Sequence, residues 1–362
     1  MKYYSNEIVF RGHPDKVCDQ VSDALLDEYL KKDPHSRCGI EVVGGKGKIF
    51  ITGEVTSKAF IDVVKVVKKT LLKIGYSNNY EVINNIGIQS SDIALGTNDI
   101  VAGAGDNGMV FGFACNDNCK YLPTAMVILQ ELSKEYDKLR KIDNRFLPDG
   151  KAEIAGLYKN NKLVSIETFT ICYQNTEVDR KETDTIIKNI CNKMCLKYKL
   201  KVKKYLINPT GRFLIGGFLG DAGLTGRKIV VDNYQSFANV GGGAFSGKDP
   251  TKVDRSAAYY ARYVAKNLVA AGLCERIEIQ VSYAIGIPNP VSIYINTFGT
   301  GKYSDNKVLE VINKVFDFSV KNIIDELNLR ESIYHKTSKY GHFGINISYE
   351  DIDKVNIIKS IL

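Results

Sequence analysis

The sequence predicts an α+β protein made of small mixed sheets, each covered by helices on one face. Two observations support this fold class. The chain has 362 residues, of which 44% are hydrophobic and 25% charged, so it should fold as a globular protein of two or three domains. Strand-like pairs alternate with helix-like segments in three successive groups, although no exact sequence repeat accompanies them.

The first group begins with a helix predicted over residues 14–32. Pro14 suits the first turn of this helix, and Pro34 lies just beyond its end. The group continues with a hairpin of strands over 39–43 and 48–55, a helix over 58–74 and a strand over 81–88. A polar stretch follows at 89–108 without periodicity, and it is predicted to be either an active-site lid or an ordinary surface connection.

The later groups repeat this mixture of strands and helices. The second contains strands over 109–115, 152–158, 163–173 and 202–207, helices over 123–140 and 184–194, and a turn at 147–151. The third contains a core-facing helix over 253–271, strands over 276–285 and 291–298, and helices over 306–316 and 320–327. We expect an N-terminal domain (1–97), a central domain (98–214) and a C-terminal domain (215–362).

The formal net charge of +8 is compatible with a nucleic acid, an acidic membrane or an anionic substrate. No block of five or six like charges occurs, which argues against a basic nucleic-acid tail. The N-terminal residues lack the apolar core of a signal peptide and no window is apolar enough to span a bilayer, so we expect a cytoplasmic protein. The eight cysteines lack zinc-site spacing and are expected to be reduced and buried.

The most informative stretch is a polar run, residues 208–255, in which glycines alternate with cations and aspartates. Glycines let backbone N–H groups approach an anion, and a helix starting near Pro250 would direct its positive end the same way. Cations and hard oxygen ligands are supplied by Arg227, Lys228, Lys248, Lys252, Asp221 and Asp254. The run therefore predicts a site for a polyphosphate with its magnesium ion.

Residues 242–248 also match G-x-x-x-x-G-K, the opening of a P-loop, so an ATP-dependent kinase is the alternative function. However, Asp249 occupies the position where a P-loop has the Ser or Thr that binds magnesium, and Pro250 follows directly. The preceding segment, 236–240, is a poor strand. On these grounds the P-loop interpretation is rejected.

Five motifs occur in order: GHPDK at 12–16, GAGDNG at 103–108, NPTGRF at 208–213, GGGAFSGKDPTKVDR at 241–255 and YGHFG at 340–344. With them the chain resembles the S-adenosylmethionine synthetase (methionine adenosyltransferase) family over nearly its whole length. The resemblance implies three similar, interleaved α/β domains with pseudo-threefold symmetry, and a dimer or tetramer with active sites between subunits. It implies ATP and L-methionine as substrates, two Mg²⁺ ions per site and K⁺, with no nucleic acid or membrane as partner.

The implied reaction is attack of the methionine sulfur on C5′ of ATP, with release of triphosphate that is then hydrolysed to phosphate and pyrophosphate. Carried over by position, the implied catalytic residues are His13, Lys151, Asp221 and Lys248. The implied ATP-binding residues are His13, Asp149, Lys151, Arg212, Phe213, Asp221, Arg227, Lys228, Ala244 and Lys248. Methionine would contact Glu54, Gln89, Asp221 and Lys252, Mg²⁺ would bind Asp15 and Asp254, and K⁺ would bind Glu41, with Asp92 and Asp106 as further candidates.

The sequence departs from the family pattern at several positions. Arg11 stands where Glu generally precedes GHPDK, and this charge reversal is expected to affect phosphate affinity. Phe218 occupies a common proline position, while Thr52 and Ala222 replace residues that are often Gly and Cys. The stretch 89–108 is short for the family and lacks much of its usual pattern, so the contacts of this predicted lid are the hardest to infer from the resemblance.

Overall fold

The computed structural model describes residues 1–90 and 103–362. Its strands are β1 (Lys2–Val9), β2 (Arg37–Gly45), β3 (Lys48–Thr56), β4 (Glu81–Gly87), β5 (Gly108–Cys115), β6 (Phe146–Lys159), β7 (Lys162–Asn175), β8 (Val202–Ile207), β9 (Gly223–Leu224), β10 (Arg276–Tyr283) and β11 (Ser292–Asn296). Its helices are α1 (Pro14–Lys32), α2 (Val63–Ile74), α3 (Thr124–Leu139), α4 (Lys181–Lys197), α5 (Ile229–Asp232), α6 (Val253–Ala271), α7 (Asp305–Val315), α8 (Val320–Glu326), α9 (Tyr334–Thr337) and α10 (Val355–Ser360).

These strands form sheets in the orders β1-β6-β7-β8, β11-β10-β5 and β4-β3-β2-β9. The first and last are mixed, because β8 runs parallel to β7 and β4 runs parallel to β3, whereas β5, β10 and β11 pair only antiparallel. Each sheet also takes a strand from a distant part of the chain: β1 pairs with β6, β5 with β10, and β9 with β2. The predicted α+β class with interleaved sheet-and-helix units is confirmed.

The core lies where the helices meet the sheets. The central helix is α6, on which 17 of 19 residues are buried because β5, β10 and α8 surround it. Its two buried arginines are paired: Arg255 with Asp23 at 2.7 Å and Arg262 with Glu350 at 2.9 Å. A separate apolar cluster fills the space between β6, β7 and the helices α3 and α4. Among the described residues, none of the helices combines the length and apolar character needed to cross a bilayer.

Most predicted elements are confirmed, but two predictions were wrong. The turn predicted at 147–151 lies inside β6, where a register shift between Phe146 and Gly150 accommodates Pro148. The helix predicted from residue 58 begins at Val63, because the Asp62 side chain caps it by accepting from the Lys65 amide at 3.0 Å. The doubt about a strand at 236–240 is confirmed, because this segment forms no strand and the single turn Gln235–Phe237 is 3₁₀.

Candidate active site

Helix α1 carries a stripe of four aspartates spaced four residues apart, which places them on one face. Each carboxylate accepts a hydrogen bond from a backbone amide outside the helix, in β9, in two loops or at the start of α9. The bonds are Leu224 to Asp15 at 3.0 Å, Gly226 to Asp19 at 2.9 Å, Gly247 to Asp23 at 2.8 Å and Tyr334 to Asp27 at 2.9 Å. Helix α1 therefore fixes both halves of the polar run. This organising role was missed from the sequence, although the regular spacing was visible in it.

The first group of site residues, which we call the helix-mouth cluster, surrounds the N-terminus of α1 and comprises His13, Asp15, Lys151, Arg227 and Lys228. The Asp15 side chain is only 2% exposed, it accepts a hydrogen bond from Lys228 Nζ, and Arg227 Nε lies 3.5 Å away from its Oδ1. Burial alone would raise the pKa of Asp15, but the hydrogen bonds from Lys228 and the Leu224 amide lower it overall. Asp15 is therefore ionised between two cations.

His13 caps α1, with Nδ1 accepting from the Asp15 amide at 3.3 Å. Burial, together with the positive charge of Lys228, lowers the pKa of His13 to about 4. The imidazole is thus neutral near pH 7, and because Nδ1 accepts, the proton resides on Nε2. The site contains a neutral hydrogen-bond donor among cations.

Lys151 completes the helix-mouth cluster from β6. It forms an ion pair with Glu7 on the neighbouring β1, and its charge is among those that lower the pKa of His13. Its neighbour Asp149 is buried, with Oδ2 accepting from the Gly217 amide at 2.8 Å, and burial raises the pKa of Asp149 to about 6. The backbone partner explains why this carboxylate tolerates burial.

Three further predicted residues make fewer contacts within the chain. Arg212 and Asp221 are exposed, and Asp221 Oδ1 accepts from the Ala222 amide at 2.8 Å. Phe213 is half-buried and its carbonyl accepts from the Asn175 amide at 3.0 Å. Their side chains are open to a ligand, and no ion pair fixes Asp221 or Arg212 within the described part of the chain.

The second group, which we call the glycine-loop cluster, comprises Gly243, Ala244, Lys248, Lys252 and Asp254. Lys248 Nζ donates to Asp254 Oδ2 at 2.5 Å. Gly243 packs against the same carboxylate so closely that a Cβ there would lie 2.0 Å from the Asp254 carboxyl carbon. Only glycine lets the loop approach Asp254 in this way.

Asp249 has a structural role that excludes the P-loop. Its buried carboxylate accepts from the Cys38 amide at 2.7 Å and from the Thr251 amide at 2.9 Å. Lys252 Nζ lies 3.9 Å from the same carboxylate. A P-loop follows a strand, whereas this loop follows a 3₁₀ turn, and the Asp249 carboxylate is already hydrogen-bonded to backbone amides. The geometry therefore does not favour the kinase alternative.

The β2–β3 hairpin brings two predicted glutamates next to the glycine-loop cluster. Glu41 lies opposite Thr52 and Glu54 opposite Gly39, and Gly39 forms a β-bridge with Lys248. Burial raises the pKa of Glu41, while the charge of Lys248 opposes this shift.

The remaining predicted residues follow β4. Gln89 is buried just beyond that strand, and Asp106 is exposed. Asp92 and most of the predicted lid, at 91–102, lie outside the described residues.

The two clusters are connected along α1. The segment of the helix-mouth cluster is held by the bond from the Leu224 amide to Asp15, and the glycine loop by the bond from the Gly247 amide to Asp23. These two aspartates are separated by about 12 Å along the helix. Gly226 and Ala244 bring the two loops into contact, since a Cβ on Gly226 would lie 2.5 Å from that of Ala244. Residues 1–90 and 103–362 contain no group of three or more Asp, Glu, His or Cys side chains that could hold a metal without help from a ligand.

The structure accounts for two departures from the family pattern. Arg11 is buried and donates to Asp137 Oδ2 at 3.1 Å and to Gln20 Oε1 at 3.2 Å. Phe218 is buried against Tyr80, with ring centroids 5.7 Å apart. The charge of Arg11 is thus neutralised inside the protein.

Comparison with known proteins agrees with this arrangement of motifs. Family models match the chain in three parts: the N-terminal domain of S-adenosylmethionine synthetase over residues 1–95, its central domain over 101–213 and its C-terminal domain over 215–351. An S-adenosylmethionine synthase from Clostridium tetani is 45% identical over 389 aligned positions, covering 100% of both chains. One from Finegoldia magna is 43% identical over 388 positions, covering 99% of both. The chain therefore belongs to the S-adenosylmethionine synthetase family and is a methionine adenosyltransferase.

Proposed function

We propose that this enzyme joins ATP and L-methionine by attack of the methionine sulfur on C5′, expels the intact triphosphate, and then hydrolyses it to phosphate and pyrophosphate. The observation that supports this mechanism most directly is the placement of His13: its Nδ1 accepts from the Asp15 amide at 3.3 Å, which leaves Nε2–H free to donate beside the Asp15–Lys228 pair. A neutral donor surrounded by cations suits a leaving oxygen that gains negative charge.

The chemistry needs no general base. A thioether sulfur has no proton to lose, so catalysis requires alignment of the sulfur with C5′ and stabilisation of the departing triphosphate. In our proposal His13 Nε2–H donates to the bridging oxygen O5′. Lys151, Arg227 and Lys228 of the helix-mouth cluster, with Lys248 of the glycine-loop cluster, bind the phosphate oxygens. Asp149, Arg212, Phe213 and Ala244 contribute to the ATP pocket.

The proposed Mg²⁺ ligands fit an ion that arrives with the nucleotide. Asp15 and Asp254 each present a single carboxylate beside a lysine, and Mg²⁺ is usually held by one or two carboxylates together with substrate phosphates. When bound, Mg²⁺ would neutralise charge on the triphosphate. We propose Glu41 for K⁺, since its half-buried carboxylate lies on β2 beside the glycine loop.

We propose that methionine binds between the clusters. Glu54 and Asp221 would attract its ammonium group and the positive sulfonium of the product. Lys252 would attract its carboxylate, and Gln89 would supply hydrogen bonds.

We further propose that two copies of the chain complete the site. Glu41 and Glu54 lie on the outward face of their sheet, together with the exposed apolar side chains of Val43, Phe50 and Ile83. Apolar surface of this kind favours burial against another protein. In the resulting dimer or tetramer, the glycine-loop cluster of one copy would face the helix-mouth cluster of the other. We expect the assembly to work in the cytoplasm.

Product identification tests the proposed reaction. Purified enzyme is incubated with ATP, methionine and Mg²⁺, with and without K⁺, and its products are separated by mass. The proposal requires S-adenosylmethionine, phosphate and pyrophosphate, and it requires both substrates. Formation of ADP would support a kinase instead and would contradict the proposal.

A further inference from the structure

Tyr76 lies just after α2, outside every group that the mechanism uses. Its hydroxyl donates to the carbonyl oxygen of Gly12 at 2.5 Å, and its side chain is half-buried. Gly12 immediately precedes His13, so this bond fixes the peptide from which the proposed catalytic imidazole extends. The bond crosses from the end of α2 to the mouth of α1, between residues 64 apart in sequence.

The ring of Tyr76 also contacts the turn that leads to Asp221. Gly217 has φ +59°, and a Cβ there would lie 2.6 Å from the Tyr76 Cζ atom and from its hydroxyl oxygen. Only glycine permits both this backbone conformation and this close approach. The Gly217 carbonyl accepts from the Asp221 amide at 3.0 Å, and the Gly217 amide donates to Asp149 at 2.8 Å.

From these contacts we infer that Tyr76 is a positioning residue, which holds the His13 peptide and the Gly217 turn in fixed relation. This inference rests on the proposed function, because it matters only if His13 and Asp221 act on the same substrates. Tyr76 acts through Gly12 and Gly217 and touches no reacting atom in our proposal. A displaced imidazole would lose its alignment with O5′, which slows the step that depends on geometry more than it weakens binding.

Tyr76→Phe removes the hydroxyl and keeps the ring. We expect kcat for sulfonium formation to fall about tenfold, which corresponds to the loss of one hydrogen bond. The KM values for ATP and methionine should change less than about twofold, since the binding groups stay in place. Hydrolysis of added tripolyphosphate should be unchanged, because in our proposal it depends on the cations and not on His13.

Tyr80→Phe is the matched control, because Tyr80 contacts the same turn through Phe218 and loses only a hydroxyl that does not bond to Gly12. Tyr76→Leu is the second variant: it also removes the ring from Gly217 and should additionally raise the KM for methionine through Asp221. Equal slowing of sulfonium formation and tripolyphosphate hydrolysis in Tyr76→Phe, or wild-type kinetics in it, would overturn the inference. A wild-type enzyme that forms no sulfonium would instead contradict the proposed function.

Discussion

Lys248 Nζ lies 2.5 Å from Asp254 Oδ2, and both side chains are more than three-quarters buried. Opposite charges at this distance stabilise each other, so either one alone would be an uncompensated charge. For Asp254 to bind a metal ion, Lys248 must find another anion, and the triphosphate of ATP supplies one. Metal and triphosphate binding should therefore be linked at this site.

Removing the carboxylate tests that linkage. Asp254→Asn should raise the Mg²⁺ concentration needed for half-maximal activity by at least about tenfold, because a charged oxygen ligand is lost. Magnesium titrations at saturating ATP measure this effect. Glu310→Gln, which breaks an exposed ion pair with Lys307, is the control and should leave the titration unchanged. An unaltered magnesium dependence in Asp254→Asn would remove Asp254 from the metal site.

His13 should contribute to the transition state more than to binding. His13→Asn is expected to slow sulfonium formation roughly a hundredfold, the effect of losing one well-placed donor, while ATP binding weakens far less. Single-turnover rates and equilibrium ATP titrations separate the two quantities. His35→Asn, the same substitution at an exposed histidine, is the matched control. Equal losses in rate and affinity would refute the assigned role.

The buried Asp149 should make stability depend on pH. Its pKa of about 6 in the folded protein exceeds the ordinary value of 3.8, so the native state binds more protons than the unfolded state between these values. The contribution of Asp149 to stability therefore falls as the pH rises from about 4 to 6. Asp149→Asn cannot lose a proton at this position. The stability of this variant relative to wild type should therefore be higher at pH 8 than at pH 4, by about 3 kcal/mol at most.

Denaturant unfolding of wild type and Asp149→Asn at pH 4 and pH 8 measures that difference. The exposed Asp179 offers the control substitution, Asp179→Asn. If the stability difference between Asp149→Asn and wild type is the same at both pH values, Asp149 does not titrate in this range and the assignment is wrong.

Arg11 should matter for folding and little for phosphate binding. Arg11→Gln is expected to lower the free energy of unfolding by about 1–3 kcal/mol, because Asp137 loses one buried partner but keeps Arg140 and Tyr340. The KM for ATP should change less than about twofold in Arg11→Gln, whereas Arg227→Gln at the helix mouth should raise it. A large rise in the ATP KM of Arg11→Gln, with unchanged stability, would show that Arg11 acts on the substrate.

Local patterns predicted most of the fold. The helix over 14–32 and the helix over 253–271 agree with α1 and α6 because proline, glycine and apolar spacing define them locally. Strands β1 and β9 were missed because their partners, β6 and β2, lie far away in sequence. The boundaries expected after residues 97 and 214 stay a prediction.

For the site, the sequence predicted residue types and not their pairing. The cations and aspartates of the polar run could be found from composition, but the bond between Lys228 and Asp15 joins residues 213 apart. Likewise, Arg11 was expected to disturb phosphate affinity because the sequence does not show that Asp137, on α3, accepts a hydrogen bond from it. Such pairs depend on tertiary packing, which a local pattern does not encode.

The central claim is that the sulfur displaces an intact triphosphate before any phosphate bond is cleaved. Rapid quenching of a single turnover, with enzyme in excess over ATP and methionine saturating, tests it most directly. The proposal predicts that S-adenosylmethionine and tripolyphosphate appear together at one rate, and that phosphate and pyrophosphate follow. Release of phosphate or pyrophosphate before the sulfonium forms, or the appearance of ADP, would contradict it.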